Sequence, residues 1–334
     1  MSRDGVLSSL LQGRGSWASG EEIAANLGVT RAAVWKQIRL LRASGYEIEA
    51  SPGKGYRLVV QPDSLRPEAI YCGLGTEFVG KVIHYRPVVG STNDVARKMA
   101  RGAEEGTVIL AEVQTEGRGR MGRRWQSPPG GVWMSVILKP DIPPALASRI
   151  NIAVGLAVAR TLSHLYGLEA GIKWPNDLTV RDKKICGILT EMRAEIDRLD
   201  YVVVGIGINA NMDPDRLDVE GEITSISREL GGEISRTELV QKLLWDIEKA
   251  YIEVNSSFPK AHAEWSARSS TLGRRVRIVS QRNEFEGTAV ELDRYGALRI
   301  RRDDGEIVRV LAGDCVHLRP AEKEEEEGAS ATSG

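Results

Sequence analysis

Gln114-Thr115-Glu116-Gly117-Arg118-Gly119-Arg120-Met121-Gly122-Arg123-Arg124-Trp125 sets four arginines among three glycines. Glycine lets the backbone take φ > 0 and come close to a ligand. Arginine presents a fixed fork of donors that matches carboxylate and phosphate oxygens. The stretch reads as a mobile loop that closes over an anion, or else as a solvated basic loop. Its glycines also spell Gly-x-Gly-x-x-Gly, and that pattern decides the fold. A dinucleotide-binding fold needs a strand before the pattern and a helix opening directly from it. Residues 108–113 supply the strand, but Pro128, Pro129, Gly130 and Gly131 break any helix. The doubly wound nucleotide-binding fold is therefore rejected.

Upstream of the loop, a strand over 82–86 leads into Val88-Val89-Gly90-Ser91-Thr92-Asn93-Asp94, which opens a helix to about Arg101. Ser91 and Thr92 either cap that helix or point hydroxyls at a ligand held at its N-terminus. Downstream, 131–138 reads as a buried strand and 145–165 as a long helix with small residues. Lys173-Trp174-Pro175-Asn176-Asp177 is either a hairpin corner or a strand end that gathers an ammonium, an amide and a carboxylate. Lys184 opens the apolar strand 185–192, a good place for an electrophilic stabiliser, and Gly187 permits a ligand to lie on the backbone. Residues 201–208 form another buried strand, ending at Asn209-Ala210-Asn211, and 236–255 an amphipathic helix. Strands outnumber helices and come in runs. The expectation is an α+β fold, a central mixed β-sheet with helices packed on one side.

Residues 1–62 carry a different pattern. Val6, Leu7, Leu10 and Leu11 repeat at helical spacing. Ser19 and Glu22 make a capping box for a short helix that Gly28 ends, and Thr30 caps the next helix, 31–43. On it Val34, Ile38 and Leu41 face inward, while Arg31, Ala32, Lys36 and Arg39 are left for the outer face. Strands over 46–50 and 56–60 flank Ser51-Pro52-Gly53-Lys54-Gly55. The order is that of a winged helix-turn-helix, with Lys54 in the wing adding a phosphate contact; a packing module that binds no DNA is the alternative. Residues 61–67 read as a linker. At the other end, four short strands between 276 and 310 suggest a small SH3-like β-barrel. Residues 321–334 are acidic and expected to be disordered.

The 334-residue length suggests two or three domains, divided at 1–62, 63–270, 271–320 and the tail 321–334. Net charge −1 gives no overall pull toward nucleic acid or membrane, so such a partner must meet a local patch. No signal peptide and no stretch long enough to span a bilayer is read, so a cytoplasmic protein without a membrane partner is expected. Cys72, Cys186 and Cys315 have neither disulfide nor zinc-ligand spacing, and no metal site is read from them.

In combination, Gly117-Arg118-Gly119-Arg120-x-Gly122-Arg123, Lys173-Trp174-Pro175-Asn176-Asp177, Lys184-Ile185-x-Gly187, Gly207-Ile208-Asn209 and the wing Pro52-Gly53-Lys54-Gly55-Tyr56 resemble the bifunctional biotin protein ligase and biotin-operon repressor family. The resemblance runs from the helix-turn-helix to about Pro320. It implies a class II synthetase-like catalytic fold and a biotin–[acetyl-CoA-carboxylase] ligase using ATP and Mg²⁺. Such an enzyme forms biotinyl-5′-AMP and passes biotin to a lysine of biotin carboxyl carrier protein. It implies operator DNA as a second partner and a homodimer when adenylate is bound. By the family pattern biotin lies near Ser91, Thr92, Asn93, Gln114, Arg118, Gly119, Arg120, Lys184 and Gly187. The nucleotide lies near Arg120, Arg123, Trp125, Lys184, Asn209 and Arg319. Lys184, Arg118, Arg120 and Asp177 serve the chemistry, with Asp177 supporting Mg²⁺ or the incoming lysine. A ligase that binds no operator, and a lipoate-type ligase, are the alternatives. Met121 stands where some members have a basic residue, and Cys186 where alanine is more familiar.

Overall fold

The structure, a computed structural model, describes residues 3–318 except 14, 44, 61, 62, 220, 281–283 and 312. The expected acidic tail and the first two residues of the expected linker, Gln61 and Pro62, lie outside the described residues.

Helices α1 (Arg3–Gln12), α2 (Gly20–Leu27) and α3 (Arg31–Arg42) and the hairpin of β1 (Glu47–Ser51) with β2 (Gly55–Val60) build the N-terminal module. The local signals do what chemistry requires of them. Ser19 Oγ accepts the Glu21 N–H at 3.2 Å while Glu22 accepts the Ser19 N–H at 3.3 Å. Gly28 closes α2 in the left-handed conformation at φ 62°, and Thr30 Oγ1 accepts the Ala33 N–H to start α3. Val6, Leu7, Leu10, Ile23, Val34, Ile38, Leu41 and Ile48 form a buried cluster that belongs to this module alone. Arg31, Ala32, Lys36 and Arg39 are all exposed on α3, as is Lys54 in the wing.

The central body follows. It contains α4 (Pro67–Tyr71), β3 (Ile83–Val89), α5 (Thr92–Met99), β4 (Val108–Gln114), β5 (Val132–Leu138), α6 (Ser148–Tyr166), β6 (Gly171–Lys173), β7 (Asp177–Val180), β8 (Lys183–Ala194), β9 (Leu199–Ile208), α7 (Ile226–Leu230), α8 (Arg236–Ser256) and α9 (Phe258–Arg268). The strands form one seven-stranded sheet in the order β3-β4-β5-β9-β8-β7-β6, with β3 and β4 parallel and every other pair antiparallel. It is the mixed sheet expected.

Alternation along each strand sends its side chains to two different environments. Val108, Leu110, Met134, Val136, Val204 and Ile206 enter the main core with α6, α8 and α9. Ile109, Ile137, Tyr201 and Val203 point the other way and pack under α5 with Ala96 and Ala100. The long helices thus cover one face. The opposite face carries α5 at one end and is left open beside it. Helix α6 with its leading turn, Pro144–Tyr166, is long and apolar enough to cross a membrane by length and composition, which corrects the expectation that no such stretch exists. Its apolar residues are buried in the main core instead, where Ala153, Ala157 and Ala159 allow close packing. Helix α9 was not anticipated.

The C-terminal part is a five-stranded antiparallel sheet: β10 (Arg275–Val279), β11 (Glu284–Leu292), β12 (Leu298–Arg301), β13 (Ile307–Val310) and β14 (Asp314–His317), in the order β13-β12-β11-β10-β14. Strand β14 was not anticipated. The inner residues Val276, Ile278, Ala289, Leu298 and Ile300 join the main core rather than forming one of their own.

Candidate active site

The open face of the large sheet holds a cavity of about 510 Å³. Its walls include Ser91, Thr92, Asn93, Gln114, Arg118, Gly119, Arg120, Arg123, Trp125, Asp177, Lys184, Gly187 and Asn209. Residues scattered over more than a hundred positions therefore meet in one place. Of the site residues expected in the central body, all are brought together. Arg319 lies outside the described residues.

The loop after β4 folds back as a narrow ladder. Gln114 N–H donates to Ser127 O (3.2 Å), Trp125 N–H to Gly117 O (2.8 Å) and Gly119 N–H to Arg123 O (2.7 Å). The tip turns at Met121, which holds φ 54°. Three of the four arginines are then fixed by partners far away in sequence. Arg118 grips Asp94 of α5 with both nitrogens, at 2.5 and 3.0 Å. This guanidinium holds the Asp94 carboxyl below the ordinary carboxylate range. Arg120 donates to Gly313 O at 3.1 Å and reaches Asn176 Oδ1 at 3.4 Å. Burial lowers its proton affinity relative to free arginine, although guanidinium stays charged. Arg123 pairs with Asp314 at the head of β14.

The two readings left open for Ser91 and Thr92 separate. Ser91 stands at the N-cap of α5 but makes no capping hydrogen bond. Gln114 takes over: its Oε1 accepts from Thr92 N–H at 2.8 Å and from Thr92 Oγ1 at 3.0 Å. Asn93 and Ser135 continue this polar floor, and both are buried. Ser91 itself lines the cavity.

Lys184 and Asp177 sit on neighbouring strands and pair at 2.7 Å. Lys184 Nζ also lies 5.0 Å from the centre of the Trp125 ring. Trp125 rests on the sheet where β8 and β9 carry glycines opposite each other, Gly187 and Gly207. A Cβ at Gly207 would come within 2.6 Å of the indole Nε1, and one at Gly187 within 2.9 Å of the ring. Gly187, which was expected to receive a ligand, thus receives the indole, and Gly207 beside it does the same. Its Nε1–H is buried without a hydrogen-bond partner among the described residues. Asn209 turns its amide to Thr224 O at 2.9 Å and so ties the segment after residue 222 to the sheet. Lys173, quoted with Asn176 and Asp177, is not in the cavity wall; its charge acts on Cys315 and His317.

The sequence reading missed Gln126, Leu217, Val219 and Ile223. Gln126 donates to Asp218 O, and Leu217, Asp218, Val219 and Ile223 line the cavity with it. A few apolar residues in an acidic, irregular segment carry no periodic signal. The pairing of Lys184 with the Ile223 segment is visible only in three dimensions.

Known proteins resemble this chain over most of its length. Residues 85–209 match the biotin/lipoate A/B protein ligase family, 5–57 an HTH domain, and 271–318 the biotin protein ligase C-terminal domain. The chain is 38% identical over 317 residues to the bifunctional ligase/repressor BirA of Bacillus subtilis, covering 93% of this chain and 97% of that one. It is 34% identical over 271 residues to the biotin–[acetyl-CoA-carboxylase] ligase of Mycobacterium tuberculosis, covering 77% of this chain and 98% of the other. A solved biotin protein ligase from Aquifex aeolicus in complex with biotin and ATP superposes with TM-score 0.63 at 27% identity, over 72% of this chain and all of that one.

Proposed function

The chain belongs to the biotin protein ligase family, in its bifunctional ligase/repressor branch, and from this premise we propose how its residues divide the work. It is an ATP-dependent biotin ligase that also carries the helix-turn-helix of a repressor. In the first half-reaction biotin's carboxylate oxygen attacks the α-phosphorus of ATP and pyrophosphate leaves. In the second, the neutral amine of a carrier-protein lysine attacks the acyl carbon of biotinyl-5′-AMP. AMP departs with the bridging oxygen and the amine loses its proton. Neither step needs a protein nucleophile. The obstacle is repulsion between an attacking carboxylate and a polyphosphate, and the remedy is fixed positive charge.

The observation that carries this reading is the convergence of Lys184, Arg118, Arg120 and Arg123 on one cavity with a buried polar floor at one end and a glycine-backed indole at the other. Arg120 is half-enclosed, and Lys184 is held by Asp177 beside the indole, so both reach the ligand with little reorganisation. We assign Lys184 to the biotin carboxylate and α-phosphate, and Arg118 and Arg120 to the loop's closure over them. Ser91, Thr92, Asn93, Gln114 and Gly119 take biotin's head, and Gly187 backs the Trp125 indole. Trp125, Arg123 and Asn209 take the nucleotide side.

Mg²⁺ bound to a nucleotide needs only one or two protein carboxylates besides phosphate oxygens. Among the described residues no group of three or more His, Cys, Asp or Glu could hold a metal ion alone. Asp177 Oδ1, however, is buried in the cavity wall without a hydrogen-bond partner, and it fits a shared ion. When bound there, the ion neutralises phosphate charge.

We also propose that the adenylate-bound form dimerises and reads a two-fold operator with the exposed Arg31, Ala32, Lys36, Arg39 and Lys54, that the acceptor is a biotin carboxyl carrier domain, and that the protein works in the cytoplasm. ATP–pyrophosphate exchange tests the chemistry: biotin should support it and lipoate should not. Exchange with lipoate alone overturns the assignment. A gel shift with a biotin-operon fragment should appear only with biotin plus ATP, and a shift indifferent to both refutes ligand-controlled repression.

A further inference from the structure

The arms of the arginine loop are fastened unequally. Its stem pairs with the turn before α5, where Thr115 N–H donates to Val89 O at 2.9 Å and Glu116 N–H to Gly90 O at 2.8 Å. Over 117–125, the backbone–backbone hydrogen bonds among the described residues close on the loop itself. Side chains must hold this segment against the rest of the protein. The tip is held by the C-terminal part, through Arg120 to Gly313 O and Arg123 to Asp314. The far arm is held by the Trp125 indole on its glycine seat. The near arm, 117–119, has one hydrogen-bonding side-chain partner on another element among the described residues, Asp94 of α5.

Asp94 is suited to that task. It does not line the cavity, but it directly follows Asn93, which does, and Arg118 and Gly119 line the same cavity. Its carboxylate meets both terminal nitrogens of Arg118 at 2.5 and 3.0 Å, a two-bond grip that sets direction as well as charge. Arg97, one turn along α5, donates to the same Oδ1 at 2.6 Å and reaches Glu191 on β8 at 3.2 Å. The carboxylate is thus held in place from its own helix, and the loop closes onto a fixed point. The ordinary alternative is that an acidic residue in the first turn merely favours the helix dipole. That role needs no arginine from the loop, and its loss would weaken α5 rather than free the loop.

We propose that Asp94 is a positioning residue that latches the near arm of the arginine loop beside the cavity floor and so slows the escape of biotinyl-5′-AMP. The inference rests on the biotin-ligase reading above. Asp94 touches no reacting atom, so forming the adenylate does not depend on it, whereas keeping the adenylate does.

Trypsin tests the latch without any ligand, because the loop carries its own cleavage sites. Cleavage after Arg124, which is exposed, reports the open population of the loop. In the full chain, Asp94→Asn should speed that cleavage about fivefold, the scale of a partly exposed, charge-assisted pair. Arg118→Gln should do the same, and the double variant no more than either, since both remove one contact. Escape is read by forming labelled biotinyl-5′-AMP on the protein, adding excess unlabelled adenylate and following the label released. Asp94→Asn should release it about fivefold faster while forming it at the wild-type rate. Wild-type cleavage, wild-type escape or additive single effects each overturn the proposal. So does faster cleavage throughout the chain with a lowered melting temperature, which marks a merely structural residue. A wild-type chain that forms no adenylate from biotin refutes the ligase reading and the retention of adenylate with it, while the cleavage result judges the latch by itself.

Discussion

Two groups of basic side chains in this molecule are built in opposite ways. Four of those around the cavity are fastened to a carboxylate or carbonyl supplied by another element: Arg118 by Asp94, Arg120 by Gly313, Arg123 by Asp314 and Lys184 by Asp177. Those on α3 and the wing stand in solvent and lean on aromatic rings, Arg39 over Trp35 at 4.9 Å and Lys54 over Trp17 at 5.8 Å. The first arrangement holds charge at fixed points, which is what a developing transition-state charge responds to. The second leaves charge free to follow a flexible polyanion and to respond to salt. Chemistry and reading of DNA demand different amounts of order from the same residue types.

The contrast breaks most easily at the cavity. Lys184→Ala or Arg120→Ala should lower biotin-dependent exchange by about 100-fold or more, the scale seen when one preorganised stabiliser is lost. Wild-type exchange in both variants would show that the fastened charges are not used. A second strike falls on what fastens them. Strand β14, which follows Gly313, supplies Asp314 and also His317, whose imidazole is pushed down to about 4, first by burial and then by Lys173 and Arg274. The folded state thus prefers the neutral ring. Its contribution is fully present above the unfolded value of 6.5 and is lost as pH falls from 6.5 to 4. Chemical denaturation across that window should show a loss of up to about 3 kcal/mol that His317→Gln removes. Equal pH slopes in both proteins would refute it. The smallest effect belongs to α3. Lys36→Ala and Arg39→Ala should each weaken operator binding by about 1 kcal/mol and lower the salt slope by about one, with exchange untouched. A salt slope that does not move would take those residues off the phosphates.

The same contrast explains what the sequence revealed. The N-terminal module was legible because its signals are local: Ser19 with Glu22, Gly28 and Thr30 act within a few residues. So were the loop's composition and the buried strands, and the family motifs named most of the cavity wall. What stayed hidden is pairing at a distance. Nothing near Arg118 announces Asp94, and nothing near Asn93 announces Glu191, 98 residues on. Strand β14 escaped because four residues, Asp-Cys-Val-His, make too short a run to call on their own. Trp125 was expected against adenine, and only the register of β8 with β9 shows why an indole finds a flat seat there.

The three buried clusters have one further meaning. The interior of the N-terminal module is private, whereas the small C-terminal sheet shares its interior with the enzyme body. A recombination event that traded the first sixty codons for another promoter-reading cassette would leave the enzyme's hydrophobic interior whole. A premature stop before β10 would expose it. Evolution is free to rewire which genes answer to the vitamin, and much less free to shorten the gene from its far end.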